Sequence, residues 1–306
     1  MSWNRDGKSR GVRDGQPGEV VAIAGRRVEV RAEDRSVRVC HLGGEPCAVG
    51  DRVHFLPMGE LEGRVVAVLP RERALRRFDR RGREEILAAW LDGLFIIVAS
   101  EPPLWVGTVD RFVVAARAEG LAVVVVLNKV DLTVPAELRA ELDLRASVGV
   151  PWLAASARTR VGLEALAERV AASERPWAIV GPSGTGKTSL VAALLPGVDV
   201  GAVAELSPYW GTGQHTTTGA RRFDLPSGGA IVDAPGIRSF QPAVSDIETL
   251  RNLFPGIDSV SCRYRDCLHR AGEDGCGADS LPAPLLESYR RMLEEATALA
   301  QRARPW

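Results

Sequence analysis

The 306-residue chain is poor in aromatic side chains, at 6%, and holds only four histidines and five cysteines. No apolar run approaches the roughly 20 residues that a bilayer-spanning helix needs, so no membrane span is expected. Met1–Gly18 is polar and charged, which excludes a signal peptide; the expected location is the cytoplasm. Lysine plus arginine (39) equals aspartate plus glutamate (39), so no overall positive charge argues for nucleic acid, and local clusters must carry that case. Three of the five cysteines crowd between positions 262 and 276, which suits a metal site better than a disulfide framework. No heptad seam is present, and a monomer is expected. What remains is a chain with 45% apolar and 25% charged residues, long enough for two or three globular domains.

The chain is organised around Trp177–Ser189. A short apolar run ends at Gly181, and Gly181, Gly186, Lys187 and Thr188 fill the pattern GxxxxGK[ST] ahead of a helix-forming stretch. Strand, glycine loop and helix together make a phosphate cradle: backbone N–H groups turn inward and the helix N-terminus adds positive potential. The candidate nucleotide contacts are Gly181, Pro182, Ser183, Gly184, Thr185, Gly186, Lys187, Thr188 and Ser189, with Lys187 reaching the β- and γ-phosphates and the Thr188 hydroxyl directed at Mg²⁺. Alone, this motif specifies only a nucleoside triphosphate.

Before it, residues 1–18 read as a disordered arm. Residues 19–72 hold five short β-like runs (Val20–Ala24, Arg27–Arg31, Val37–Leu42, Arg52–Leu56 and Arg64–Leu69) separated by glycine-rich turns, which predicts a small barrel of the OB type. Cys40 and Cys47 read as small semi-buried residues, since no histidine–cysteine pair lies near them. Arg64–Arg83 carries eight arginines against Glu72 and Asp79; phosphate contact and a solvated linker both fit. From about residue 73 to 242 strands and helices alternate, which predicts a doubly wound parallel sheet.

Asn128-Lys-Val-Asp131 closes the apolar run Val123–Leu127 and fits NKxD at the carboxyl end of a buried strand, where ligands bind in such sheets. The Asp131 carboxylate can accept from N1–H and the 2-amino group of guanine, a donor pair that adenine lacks. Asn128 would brace the loop and the Lys129 stem would cover the ring. Ser156-Ala157, after the next strand, is placed for a backbone N–H to meet guanine O6. Asp233-Ala-Pro-Gly236 fits DxxG, with Asp233 toward Mg²⁺ and the Gly236 N–H toward the γ-phosphate. Between these lies Gly211–Gly219, where Thr216, Thr217 and Thr218 follow His215; Thr217 or Thr218 would close on Mg²⁺. Position 237, directly after DxxG, is isoleucine, which cannot orient a water, so His215 stands as the catalytic candidate beside Lys187; a surface histidine in a loop is the alternative.

These motifs occur in permuted order, with NKxD ahead of the phosphate loop. Downstream, Cys262, Cys267, His269 and Cys276 lie within fifteen residues and suit tetrahedral zinc in a structural role. Residues 243–306 are read as a zinc-binding, α-helical C-terminal domain closed by a helix over Leu285–Arg302.

With Val49-Gly-Asp-Arg-Val53, Leu127–Leu132, His215-Thr-Thr-Thr218, Asp233-Ala-Pro-Gly-Ile-Arg238, Phe240 and the Cys/His set, the chain resembles the RsgA-type circularly permuted GTPases of bacteria over nearly its whole length. The resemblance implies GTP hydrolysis to GDP stimulated by the 30S ribosomal subunit, contact with 16S rRNA, a role in late subunit maturation, and Zn²⁺ and Mg²⁺ as cofactors. A subunit-binding GTP sensor with negligible turnover, or a paralogue acting on another partner, are the alternatives. The chain departs from the family where Ala88-Ala-Trp-Leu-Asp-Gly93 replaces Ala-Ala-Asn-x-Asp-Gln, and its barrel is short.

Overall fold

The computed structural model describes residues 15–79, 81–198, 200, 219–234 and 240–302. Strands β1 (Gln16–Ala24), β2 (Arg27–Ala32), β3 (Val37–Leu42), β4 (Arg52–Pro57) and β5 (Glu62–Val68) follow the alternating runs closely. They pair in the order β1-β2-β3-β5-β4, a β1–β4 pairing closes the ring, and β3 and β5 run parallel, which is the OB-type barrel. Period-2 alternation sends Val20, Val28, Val30, Cys40, Val53, Phe55 and Val65 inward as its core. Strand β1 begins at Gln16, inside the stretch expected to be unstructured, because Gln16–Glu19 supply the residues that pair with β4.

The arginine-rich link is not a free linker. It leads into a hairpin of β6 (Leu75–Phe78) and β7 (Glu84–Ala88), and four of its arginines are held in ion pairs with other parts of the fold or across the hairpin, while Arg64, Arg81 and Arg83 remain exposed. Arg76 pairs with Glu84 and Glu119, Arg77 with Glu85, Arg71 with Asp51 and Arg73 with Asp92.

Beyond it the α/β unit runs β8 (Gly93–Val98), α1 (Thr108–Ala118), β9 (Ala122–Leu127), α2 (Ala136–Ser147), β10 (Trp152–Ala154), α3 (Leu163–Ala171), β11 (Trp177–Val180), α4 (Lys187–Leu194), β12 (Arg221–Asp224) and β13 (Ala230–Asp233). The strand order is β10-β9-β8-β11-β13-β12, with the first five parallel and β12 antiparallel. Strands buried on both faces read as continuous apolar runs, and here alternate residues part to two cores. Leu94, Ile96, Val125, Leu127 and Ala178 pack under α1 with Phe112, whose ring stacks on Phe240 at 4.2 Å. Phe95, Ile97, Val124, Val126 and Ile179 pack under α3 and α4 with Leu166, Val170, Leu190 and Val191.

The two sheets are continuous. Beyond a bulge between Val20 and Ala22, the second half of β1 pairs with β12 at Ala22 and Arg221. An ionic lattice covers the seam: Glu19 accepts from Arg31 (3.0 Å) and Arg222 (2.7 Å), Asp224 pairs with Arg31 and Arg222, and Arg221 donates to Glu29 at 2.9 Å.

Helices α5 (Ile247–Leu253) and α6 (Ala283–Arg302) build the C-terminal part. Asp246 caps α5, its carboxylate accepting from the Thr249 N–H at 2.7 Å. Leu250, Phe254, Leu285, Tyr289 and Met292 form a third core that takes in Val114 of α1. Beneath it lies a buried polar junction. Asp110 of α1 receives Arg145 of α2 through Nε (2.9 Å) and Nη2 (3.0 Å), and Ser288 of α6 through its hydroxyl (2.6 Å). Both charged side chains are essentially inaccessible, at 0% and 3% exposure. Among the described residues no helix is long and apolar enough to cross a membrane.

Removing one partner of a buried, hydrogen-bonded ion pair leaves the other charge stranded, at a cost of about 3–5 kcal/mol. Asp110→Ala is therefore expected to lower the thermal unfolding midpoint by several degrees, measured by circular dichroism. Asp110→Ala combined with Arg145→Met should recover much of that loss.

Candidate active site and metal centre

The candidate residues converge at the carboxyl edge of the parallel strands. Strand β11 ends at Val180 and the chain turns through Gly181 at φ +140°, where a β-carbon would lie 2.3 Å from the Ile97 carbonyl oxygen of β8. The loop ends at Gly186, φ +88°, which precedes α4 and sits where a β-carbon would fall 2.4 Å from the Asn128 amide nitrogen. Conformation favours glycine at both positions, and at Gly181 the Ile97 backbone leaves no space for a side chain. Ser183, Gly184, Thr188 and Ser189 are exposed along the loop and first turn, while Thr185 is buried with its hydroxyl on the Pro182 carbonyl at 2.9 Å. Lys187 is 7% exposed, and its ammonium donates to the carbonyls of Gly181 (3.0 Å) and Pro182 (2.9 Å). Burial lowers its pKa, while the nearby Asp233 acts in the opposite direction.

Asp233, the last residue of β13, faces the loop with its carboxylate 3.4 Å from the Thr188 hydroxyl. Burial pushes its pKa up to about 6, against the pull of Lys187. A hydroxyl and a carboxylate so placed offer two oxygen donors to a hard cation beside an anion-binding helix N-terminus.

From β9, Asn128 reaches across to the phosphate loop and donates its amide to the Thr185 carbonyl at 2.8 Å. Its own Oδ1 is buried without a partner among the described residues. Lys129, at φ +62°, spans two loops by donating to the carbonyls of Glu101 (2.9 Å) and Gly184 (2.6 Å). Asp131 accepts from the Ser156 hydroxyl at 2.6 Å and from Arg158 Nε at 2.7 Å. Those two bonds, Ser156 first, hold its carboxyl below the usual carboxylate range. The Ser156 N–H is taken by the Val161 carbonyl at 3.0 Å, and Ala157 follows, half-buried, at the turn.

The fold thus gathers Asn128, Lys129, Asp131, Ser156, Ala157, Gly181–Ser189 and Asp233 at one edge. His215, Thr216, Thr217, Thr218, Gly236 and Ile237 lie outside the described residues. Two participants escaped the motif reading. The Glu101 carbonyl belongs to a loop without a sequence signature; Arg158 was visible as a cation two positions past Ser156, but only folding brings it against Asp131.

In the C-terminal part, Cys262, Cys267, His269 and Cys276 bring one donor atom each within 4.8 Å of one another. The three sulfurs lie 3.4, 3.6 and 3.5 Å from His269 Nδ1. Tetrahedral coordination with metal–sulfur bonds of about 2.3 Å and a metal–nitrogen bond of about 2.0 Å requires edges of about 3.6 Å, so this set fits one metal ion. The backbone N–H of Gly277 points at Cys262 Sγ (3.2 Å) and that of Ala278 at Cys276 Sγ (3.4 Å), outer contacts that suit thiolate charge.

An NKxD strand that precedes the phosphate loop in sequence, yet lies two strands from it in one parallel sheet, defines a circularly permuted P-loop GTPase fold. The RsgA GTPase family model matches residues 68–243. Proteins named small ribosomal subunit biogenesis GTPase RsgA are similar over most of the chain. That of Pseudomonas fluorescens is 41% identical over 276 residues, 85% of this chain and 78% of its own length. That of Chromohalobacter salexigens is 36% identical over 296 residues, 92% and 86% of the two chains. The crystal structure of YjeQ from Thermotoga maritima superposes with a TM-score of 0.67 at 27% identity, covering 92% of this chain and 98% of that one. YloQ, described as a circularly permuted GTPase, has the same fold, with a TM-score of 0.63 at 19% identity over 98% of this chain and all of its own. The chain belongs to the RsgA GTPase family.

Purified protein is expected to carry one metal ion per chain by plasma mass spectrometry. Cys267→Ala should lose it and lower the unfolding midpoint, because metal binding at such a set is also folding free energy.

Proposed function

We propose that this protein hydrolyses GTP to GDP and phosphate in step with the late maturation of the small ribosomal subunit, binding the 30S particle and contacting 16S rRNA. The observation that carries this reading is the convergence of Asp131, Asn128 and the Gly181–Thr188 loop at one sheet edge, on a chain of the RsgA GTPase family. The names of its relatives support the ribosomal role. In the proposal the working parts are a barrel over residues 19–72, the permuted GTPase over 73–242 and a C-terminal domain over 243–306. They act as a monomer in the cytoplasm.

Asp131 accepts the two donors of the guanine edge while Asn128 braces the loop and the Lys129 stem covers the ring. With the Ser156 N–H committed to Val161, the N–H of Ala157 is the donor left for guanine O6. Lys187 leaves its carbonyl partners for the β- and γ-phosphates, and the N–H groups of Gly184–Ser189 surround the phosphate chain. Thr188 and Asp233 would hold Mg²⁺, with Thr217 or Thr218 closing the shell; bound Mg²⁺ supplies charge neutralisation between the phosphates. The Gly236 N–H meets the γ-phosphate, and His215 orients the attacking water where isoleucine occupies position 237. The Cys262/Cys267/His269/Cys276 set holds Zn²⁺ in a structural role, since all four positions of a tetrahedron are filled by protein.

Ile237 also favours a second reading, a subunit-bound GTP sensor with negligible turnover. GTP turnover with and without purified 30S subunits, with ATP as control, separates the two. A subunit-dependent rise confined to GTP is expected. Lys187→Ala should reduce it by about 100-fold or more, and His215→Ala should reduce the stimulated rate. Binding without a rise would favour the sensor, and retention by other particles alone would favour a paralogue with another partner.

A further inference from the structure

Asp131 is held by two groups of unlike kind. Ser156 is fully buried, and while its hydroxyl donates to Asp131 Oδ1 it also accepts from the Thr159 N–H at 3.1 Å, so its rotor is fixed. Arg158 comes from the loop between β10 and α3 and donates through Nε to the other oxygen, Oδ2, at 2.7 Å. Its side chain is 73% exposed, while that of Asp131 is 9% exposed. The Arg158 pair therefore covers the solvent side of a carboxylate whose side chain is little exposed.

The terminal torsion of an aspartate is broad, so a carboxylate anchored at one oxygen still swings about that anchor. Anchored at both, its plane is set. An ionised carboxylate has about four acceptor positions. Ser156 and Arg158 occupy one on each oxygen, which leaves one on each for a second pair of donors. A guanine edge offers two parallel donors, N1–H and the 2-amino group; hypoxanthine offers only N1–H. Holding the plane matters for the two-donor base and much less for the one-donor base.

Resting on the assignment of Asp131 as the base reader, we propose that Arg158 is a positioning residue for base selection: with Ser156 it holds the Asp131 carboxylate in the orientation that accepts two hydrogen bonds at once. Arg158 is not required to touch the nucleotide. Because its guanidinium is mostly solvated, the effect is modest, in the range of an exposed ion pair.

The test is equilibrium binding of GDP, IDP and XDP to the full-length protein, its Arg158→Ala variant and its Asp131→Asn variant. Arg158→Ala is expected to weaken GDP binding by about two- to five-fold. IDP binding should change much less, so that the GDP-to-IDP preference falls by a similar factor. An unchanged preference, or equal losses for GDP and IDP, would overturn the proposal, since the first means no role and the second a direct contact with sugar or phosphate. Asp131→Asn is expected to move the preference from GDP to XDP, whose 2-oxo group an amide can meet. If it does not, Asp131 is not the base reader and both assignments fall. If it does while Arg158→Ala leaves the GDP-to-IDP ratio intact, only the role of Arg158 falls.

Discussion

Two backbone approaches govern the nucleotide edge. At Gly181 the phosphate loop lies against the Ile97 carbonyl of β8, and at Gly186 it lies against the Asn128 amide, which in turn donates to the Thr185 carbonyl. Backbone leaves no room for a side chain at Gly181, and at Gly186 the φ of +88° favours glycine beside the Asn128 amide, so the loop's path is tied to β8 by the first and to Asn128 at the end of β9 by the second. Lys129 adds a second tie to Gly184 from the same strand end. A phosphate cradle and a base-reading loop must be held at a constant separation, because one rigid ligand has to satisfy both. Cutting and rejoining the chain elsewhere leaves that separation untouched, which is why the permuted motif order costs the site nothing.

Most of this was legible in the sequence because each signal is local. The barrel strands announce themselves by alternation, the buried β8 and β9 by unbroken apolar runs, and the phosphate loop by glycines whose φ values no other residue tolerates. The β6–β7 hairpin was hidden because both its faces carry charge. Arg77 stands directly opposite Glu85 and Arg76 lies diagonal to Glu84, and a reading tuned to hydrophobic period sees only a basic segment. Strand β12, four residues with two arginines, gives no period at all. Arg158 illustrates the general limit: its partner Asp131 is 27 positions away, and nothing in either local sequence links them.

The family departure at Trp90 has a physical resolution. The residue sits at φ +56°, a conformation asparagine accepts readily and tryptophan does not. Its ring lies between the guanidiniums of Arg52 from the barrel, at 5.7 Å, and Arg175 from the segment ahead of β11, at 5.1 Å. Each cation–π contact contributes about 0.5–1 kcal/mol, set against the backbone conformation and an indole Nε1 that is buried without a hydrogen-bond partner among the described residues. The position is a stacked joint between the barrel and the segment ahead of β11.

The shared edge of β1 has a consequence for how the molecule is made. The barrel strands are all present once β5 has been synthesised, but beyond its bulge β1 pairs with β2 on one edge only and meets β12 on the other, and the Glu19–Arg222 bond joins residues 203 positions apart. A chain emerging amino end first therefore carries a formed barrel with an open strand edge while most of the GTPase is still missing. Open edges invite pairing with other chains. Here Glu19, Glu29 and Arg31 stand beside that edge, side chains that an intruding neutral strand would have to desolvate without compensation. Arg221 and Arg222 bring the matching charges, so the chain's own late strand is the one that completes this edge with its ions paired.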